Sequence, residues 1–222
     1  ELQMGLSGAL NITEAMENLS NSLSVNRVPA PWEAVAYWSK KALGLWFNDL
    51  LERVAQLERW STELTLPKTL WISGLFNPMS FLTSVMQTTA RSKNLPLDNM
   101  SLQTHVTNIL DPEEISDYPE NGAFVHGFFL EGAAWEPGRS PQEEGYLTDS
   151  TLKDLHPRLP VVNVVAVPIE ERITVGVYEC PCYVTTMRGP TFVFTANLKM
   201  ESEEADPKKW VLAGVALLMN ED

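Results

Sequence analysis

The spacing of apolar residues along the first half of the chain predicts helices. Between residues 12 and 23 apolar side chains recur at helical intervals, and Asn11 followed by Glu14 matches a capping box. The prolines of residues 28–31 end this segment and open the next, because proline is tolerated in the first turn of a helix. From Trp32 to Trp60 the pattern is again helical, and Gly44 is where a bend or interruption is expected. The predicted inner stripe of this helix is Trp46, Phe47, Leu50, Leu51, Val54 and Leu57.

A third helix is predicted to begin after Asn77. Its inner side would carry Phe81, Leu82, Val85, Met86 and Thr89. The polar, turn-rich residues 111–122 then mark a boundary, and short runs rich in β-branched and aromatic residues follow. These runs are residues 123–130, 161–167, 172–186, 191–198 and 210–219, of which the last fits a helix or a strand. Residues 136–150 read as a long polar loop, and Arg188-Gly189-Pro190 as a hairpin connection.

This order of elements predicts an α+β fold. A helical lobe is expected in residues 1–110, followed in residues 111–222 by a β-rich lobe. Several strands at this spacing favour an antiparallel, partly closed, barrel-like arrangement. No internal repeat is seen.

Composition and charge narrow the classes of partner. The chain has 222 residues, of which 44% are hydrophobic, and a formal net charge of −13. Residues 111–222 hold 20 acidic and 8 basic side chains, whereas residues 1–110 hold 9 and 8. Nucleic acid, anionic membrane and the acidic surface of a microtubule are therefore poor partners for the second half. No apolar run is long enough to span a bilayer, and the first residue, Glu1, is not methionine, so a fragment of a longer protein is expected.

Residues 70–82, LWISGLFNPMSFL, combine an apolar run, a glycine and a helix start, as many phosphate sites do. A P-loop, however, needs a second glycine and a lysine after the first glycine, and neither follows Gly74. Pro78 also lacks the amide that a phosphate would bind. We therefore expect Asn77 to be the N-cap and Pro78 the first helical residue, with no ATP bound by this chain.

Cys180, Cys182 and His126 are the other candidates for chemistry. Residues two apart in a strand share a face, so Tyr178, Cys180, Cys182 and Val184 would line up together. One Cys pair with no nearby histidine is too little for zinc, so buried thiols packing as small hydrophobes are favoured. His126, in an apolar strand, is expected to be a core histidine. A Cys/His enzyme using either thiol with His126 stays open as a weaker alternative.

Two further features concern contacts with partners. Trp32, Trp46 and Trp60 are spaced fourteen residues apart, which would place them near one face of a continuous helix. Core packing is the default, and an anchor for a neighbouring domain is the alternative. The acidic residues 201–206 read as a solvated loop between strands, with an electrostatic contact to a basic partner as the alternative.

Four stretches together carry a family resemblance. Trp71-Ile-Ser-Gly-Leu-Phe-Asn-Pro-Met-Ser-Phe-Leu82 resembles a characteristic stretch of the C-terminal domain of dynein heavy chains. So do residues 122–132 (GAFVHGFFLEG), residues 178–181 with 188–194, and residues 210–218 (WVLAGVALL). Their order and spacing match along nearly the whole chain, and the form with Asn77-Pro78 looks axonemal. Ala134 departs from the arginine that many members carry there, and residues 201–206 are longer than the usual turn.

The resemblance implies a segment of a motor protein that does not contain the ATPase modules. In such heavy chains AAA+ modules bind and hydrolyse ATP with magnesium and a stalk tip grips the microtubule, all outside this segment. The resemblance implies a non-catalytic cap on the AAA+ ring that modulates stepping or force. Its partners would be ring modules of the same heavy chain, with other dynein subunits as further candidates, in a ciliary or flagellar axoneme. It also implies that the natural C-terminus lies near Asp222.

No catalytic, cofactor-binding or metal residue is therefore predicted, and no cofactor is expected in this chain. The alternative function is an autonomous small-ligand-binding β-barrel module, since small barrels can enclose pockets.

Overall fold

The structure is a computed structural model that describes residues 1–140, 143–151 and 154–220. The chain divides into two units, Glu1–Glu63 and Leu64–Glu221. The boundary predicted from the pattern of helical and strand-like segments lies near residue 110, which differs from this boundary at residue 63. The reason for the difference is that the helix and strand between residues 78 and 106 pack into the sheet region, where Ala90, Met100 and Ala166 form one buried cluster.

The first unit, Glu1–Glu63, is helical. Its helices are α1 (Leu2–Leu6), α2 (Glu14–Ser24), α3 (Ala30–Val35) and α4 (Leu43–Glu63). The N-cap of α2 is Thr13, whose hydroxyl oxygen accepts a hydrogen bond from the amide of Met16 at 3.3 Å. The predicted capping box at Asn11 is therefore wrong by two residues, because the extended backbone of Thr13 directly precedes the first helical residue.

The segment predicted as helical from Trp32 to Trp60 consists of two helices, and the interruption expected at Gly44 lies before that residue. α3 ends at Val35, and α4 begins only at Leu43, with Gly44 inside its first turn. Between them the chain folds back. The Tyr37 hydroxyl donates to the Trp46 carbonyl at 2.9 Å, and the Trp46 indole donates to the Tyr37 carbonyl at 3.2 Å.

The second unit, Leu64–Glu221, alternates short strands with two helices. Its elements in chain order are β1 (Thr69–Trp71), α5 (Pro78–Lys93), β2 (Met100–Val106), β3 (Ala123–His126), β4 (Phe129–Glu131), β5 (Ala133–Glu136), β6 (Tyr146–Asp149), β7 (Val162–Pro168), β8 (Val177–Tyr183), β9 (Phe192–Lys199), α6 (Lys208–Leu212) and β10 (Ala216–Leu218). Short 3₁₀ turns lie at Ile72–Gly74, Leu97–Asn99, Pro112–Glu114, Ile169–Glu171 and Gly189–Thr191.

The strands form separate sheets, so the predicted mixture of helices and then sheets is confirmed but the barrel is not. One sheet has the order β1-β3-β7-β2, a second the order β4-β10-β8-β9, and β5 pairs with β6. Two pairs, β1 with β3 and β10 with β8, are parallel, so the second unit is not antiparallel throughout. The Thr104 hydroxyl links β2 to β9, since it donates to the carbonyl of Asn197 at 2.7 Å and accepts from its amide at 2.8 Å.

Each of the five predicted runs contains a strand. The connection at Arg188-Gly189-Pro190 joins the antiparallel strands β8 and β9, as predicted. Strands β2 and β6 lie where the sequence predicted a helical lobe and a polar loop. The run 210–219 holds both the end of α6 and β10.

Candidate functional site

Residues 70–82 form a packing element rather than an open loop. Asn77 is the N-cap of α5, its side-chain oxygen accepts the amide of Ser80 at 3.2 Å, and Pro78 is the first helical residue, as predicted. The amide of Leu75 bonds the carbonyl of Ile72 at 3.1 Å. A Cβ on Gly74 would lie 2.2 Å from the Trp71 ring, so the glycine is where that ring packs. The amides of Leu75 and Ser80, which an anion would need, are thus already used.

The two cysteines pack as small hydrophobes. Cys180 and Cys182 are free thiols with no exposed surface, and they lie on the buried face of β8 together with Tyr178. Burial raises the pKa of both thiols well above the ordinary value. Little thiolate therefore forms at neutral pH, which argues against a nucleophile here.

His126 is a half-buried residue of β3, in a different sheet from the cysteines. Burial lowers its pKa to about 4, so the ring is neutral at pH 7. This supports the packing interpretation. Within the described residues no group of three or more His, Cys, Asp or Glu side chains is placed to hold a metal ion.

The helical unit presents a more distinctive feature. Helix α4 carries an exposed apolar stripe in addition to its buried face. Its inner face holds Trp46, which is 1% exposed, and Arg53, which is 3% exposed. Phe47 follows Trp46 and Val54 follows Arg53. Together with Leu51 they form a second stripe, rotated about 100° around the helix axis from the inner face. We call Phe47, Leu51 and Val54 the α4 outer stripe; they are 46%, 53% and 49% exposed.

The inner face of α4 is held by a polar and aromatic cluster. The rings of Tyr37 and Trp46 stack with centroids 5.4 Å apart, and the Arg53 guanidinium lies 4.2 Å from the centre of the Tyr37 ring. Asp49 accepts from Lys41 at 3.1 Å and lies 3.8 Å from Arg53. Burial, and then the Asp49 carboxylate, raise the pKa of Tyr37 to about 12. The cluster fixes the rotation of α4 and thereby points the outer stripe away from its own unit.

The three tryptophans do not share one continuous helix, since Trp32 lies on α3 whereas Trp46 and Trp60 lie on α4. Trp46 is buried in the cluster and Trp60 is half-buried, so neither is an open anchor. Trp32 and Val35, on α3, are 37% and 87% exposed, and Trp38 is 45% exposed. The spacing of apolar residues predicted one stripe that contains Phe47, Leu51 and Val54 together with Trp46. The signal that would have separated them is the width of the apolar arc on α4, which exceeds what one buried face requires.

The exposure of the acidic loop agrees with the prediction made from the sequence. The acidic residues 201–206 are largely exposed, although they lead from β9 into α6 and not into a strand. In the part of the protein that the structure describes, no helix is both long and apolar enough to cross a bilayer.

Comparison with known proteins adds the family. A sequence profile described as the C-terminal domain of the dynein heavy chain matches residues 1–219. The protein is 47% identical over 219 residues to dynein axonemal heavy chain 9 of Homo sapiens and 46% identical to the ciliary dynein beta chain of Heliocidaris crassispina. It is 45% identical over 220 residues to the flagellar outer arm dynein beta chain of Chlamydomonas reinhardtii. Each match covers 99% of this chain and 5% of the relative, so the chain spans about a twentieth of their length. The chain belongs to the family of C-terminal domains of dynein heavy chains.

Proposed function

We propose that this chain is a non-catalytic structural and regulatory domain of an axonemal dynein heavy chain. It caps the AAA+ ring of the same heavy chain and modulates the stepping or force of a ciliary or flagellar motor. The α4 outer stripe is the docking face, and it is the observation that carries the proposal. The relatives named above are axonemal, ciliary and flagellar heavy chains, which supports this setting.

The exposure of the α4 outer stripe supports docking, because apolar surface in contact with water is unfavourable in free energy. Phe47, Leu51 and Val54 lie on consecutive turns of one helix and are each about half exposed. Burying apolar surface contributes about 25 cal/mol per Å², and contiguous exposed apolar surface marks interaction sites. The relatives are about twenty times as long as this chain, so the ring modules of the same heavy chain are the occupant we commit to.

The non-catalytic part of the proposal rests on the chemistry of the candidate residues. The amides of Leu75 and Ser80 are used inside the fold, and both thiols are buried. We expect ATP and magnesium to bind elsewhere in the heavy chain. Titration of the 222-residue chain with ATP and Mg²⁺ should give no heat of binding and no shift in melting temperature, whereas a clear shift would favour a ligand-binding module.

The test of regulation compares the full heavy chain motor with a motor lacking residues 1–222. We expect altered gliding velocity, processivity or stall force, with ATP hydrolysis retained. Unchanged motility in all three measurements would contradict a regulatory role.

A point variant tests the docking face itself. Leu51→Glu in the full motor places a charge in the stripe, and we expect it to reproduce part of the effect of the deletion. Leu45→Glu is the matched control, because Leu45 is 62% exposed on the same helix and lies about 120° around it from Leu51, outside the stripe. Equal effects of the two variants would show that the stripe is not the docking face.

A further inference from the structure

The second unit contains a cavity of about 310 Å³ beside β2, between the segment leading into β8 and the turn that follows β9. Its floor is made by Gln103, Thr104 and Asn197, which are 6%, 3% and 2% exposed. Ile173 and Val175 stand at its rim, 45% and 64% exposed. The cavity thus has aliphatic walls at its mouth and a fixed polar floor, which is the usual composition of a binding pocket.

The charged side chains around this cavity are mostly acidic. Glu144, Glu201 and Glu203 come from two separate segments, and Lys199 is the one cation among the lining residues that the structure describes. Among the described residues, Glu201 and Glu203 form no ion pair within 4 Å. Glu201 and Glu203 therefore stand at the mouth without an ion-pair partner within the described residues.

The third carboxylate, Glu144, is positioned by hydrogen bonds. Its Oε1 accepts the amide of Val106 at 2.9 Å, and its Oε2 lies 3.9 Å from Nδ1 of His105. The amide of Ile173 donates to Oε1 of Gln103 at 2.9 Å, so the Gln103 amino group faces Nε2 of His105 at 2.9 Å. These contacts hold Glu144 and His105 at the wall of the cavity.

The stem of Glu203 packs close to the backbone at Gly176. Gly176, with φ +71°, accepts the amide of Met200 through its carbonyl at 2.8 Å. A Cβ at Gly176 would lie 3.1 Å from the Cγ of Glu203, so the glycine leaves room for the glutamate stem beside the backbone. This contact brings Glu203 to the edge of the cavity that Gly176 lines.

We propose that this cavity binds an arginine or lysine side chain presented by a basic segment of a partner polypeptide. The methylene stem lies against Ile173 and Val175, and the cationic head reaches Glu144 and Glu203. A cation on an aliphatic stem is the chemistry that matches aliphatic walls with acidic groups beyond them. This site is separate from the α4 outer stripe and does not depend on the ring-docking proposal.

The test uses the 222-residue chain and two short peptides, acetyl-Gly-Gly-Arg-Gly-Gly-amide and the same peptide with citrulline for arginine. Citrulline has the same shape without the charge. In ¹⁵N-resolved NMR titrations we expect the arginine peptide to shift the amide signals of Gly176, Val177 and Glu203, and to bind at least about ten-fold more tightly than the citrulline peptide.

Variants locate the contact. Glu203→Gln should weaken binding of the arginine peptide about three-fold, as expected for one partly exposed ion pair. Glu120→Gln removes the same charge from an exposed residue outside the cavity and should leave the affinity unchanged. Equal binding of the two peptides, or equal weakening by the two variants, would overturn the proposal, since either result means general attraction to an acidic protein.

Discussion

The two units of the chain differ in how far each covers its own apolar residues. In Leu64–Glu221 the sheets bury a continuous core, in which β8 alternates buried and outward residues and all of β10 is buried. In residues 1–63, all of which the structure describes, the buried hydrophobic residues are Val28 and Trp46, which are 9% and 1% exposed. A helical segment of this size is marginal by itself. The second unit is therefore stabilised by its own core, whereas the first leaves nearly all of its apolar side chains at least partly exposed.

The sharpest test of this difference is the same substitution in each unit. Phe128 is 1% exposed and packs 6.1 Å from the Phe194 ring, whereas Phe47 is 46% exposed. Phe128→Ala should lower the free energy of unfolding by about 3–5 kcal/mol, because it removes a buried ring and leaves a cavity. Phe47→Ala should cost less than about 1 kcal/mol. Urea unfolding followed by circular dichroism measures both, and comparable losses would mean that the α4 outer stripe is packed in the isolated domain.

The stability of the two units should also respond differently to a decrease in pH, because all three histidines lie in the second unit. The folded pKa of His126 is about 4, below the unfolded value of about 6.5. Its stabilising contribution is therefore present above pH 6.5 and is lost as the pH falls toward 4. After allowance for partial exposure this is on the order of 2 kcal/mol. His126→Gln should flatten the dependence of the unfolding free energy on pH between 6.5 and 4, and NMR titration of the ring should give its pKa directly. A ring that titrates near 6.5 would contradict this.

The sequence predicted the local structure of some segments better than others. Around Asn77 the cap, the proline and the inner residues Phe81 and Leu82 were correct, because these features depend on neighbours within one helix. Strand β2 was missed because MSLQTHV is an edge strand with polar residues on both faces, including the buried Gln103 and Thr104. These side chains are satisfied by Ile173 and Asn197, partners about 70 and 93 residues away that no local pattern reveals.

The candidate surface was harder to predict than the fold. Sequence periodicity counts apolar residues but does not say which of them a partner covers. On α4 it predicted one stripe that contains Phe47, Leu51 and Val54 together with Trp46, and it missed the buried Arg53. Arg53 is accommodated because Tyr37, brought back by the break before Leu43, lies against its guanidinium. Contacts with residues outside α4 therefore determine which side of the helix faces inward.

Matched helix caps give a smaller effect in each unit. The Thr13 hydroxyl and the Asn77 side-chain oxygen each accept one amide at the start of a helix, at 3.3 Å and 3.2 Å. Replacing either by alanine should cost about 1 kcal/mol. Hydrogen exchange read by peptide mass spectrometry should show faster exchange only in the unit that carries the variant. Faster exchange in both units with either variant would mean that they unfold as one cooperative body.

The smallest effect on stability is expected where the functional effect is expected to be large. Leu51 is 53% exposed, and glutamate is nearly as good a helix former as leucine. Leu51→Glu in the isolated domain should therefore change the free energy of unfolding by less than about 0.5 kcal/mol, as should the control Leu45→Glu. Light scattering should also show less self-association for Leu51→Glu, since a charge interrupts the stripe. A loss of more than about 2 kcal/mol would place Leu51 in a core of this domain and would remove the basis for the docking proposal. A neutral result, combined with altered motility of the same variant in the full motor, would separate a surface that binds the rest of the heavy chain from one that folds the domain.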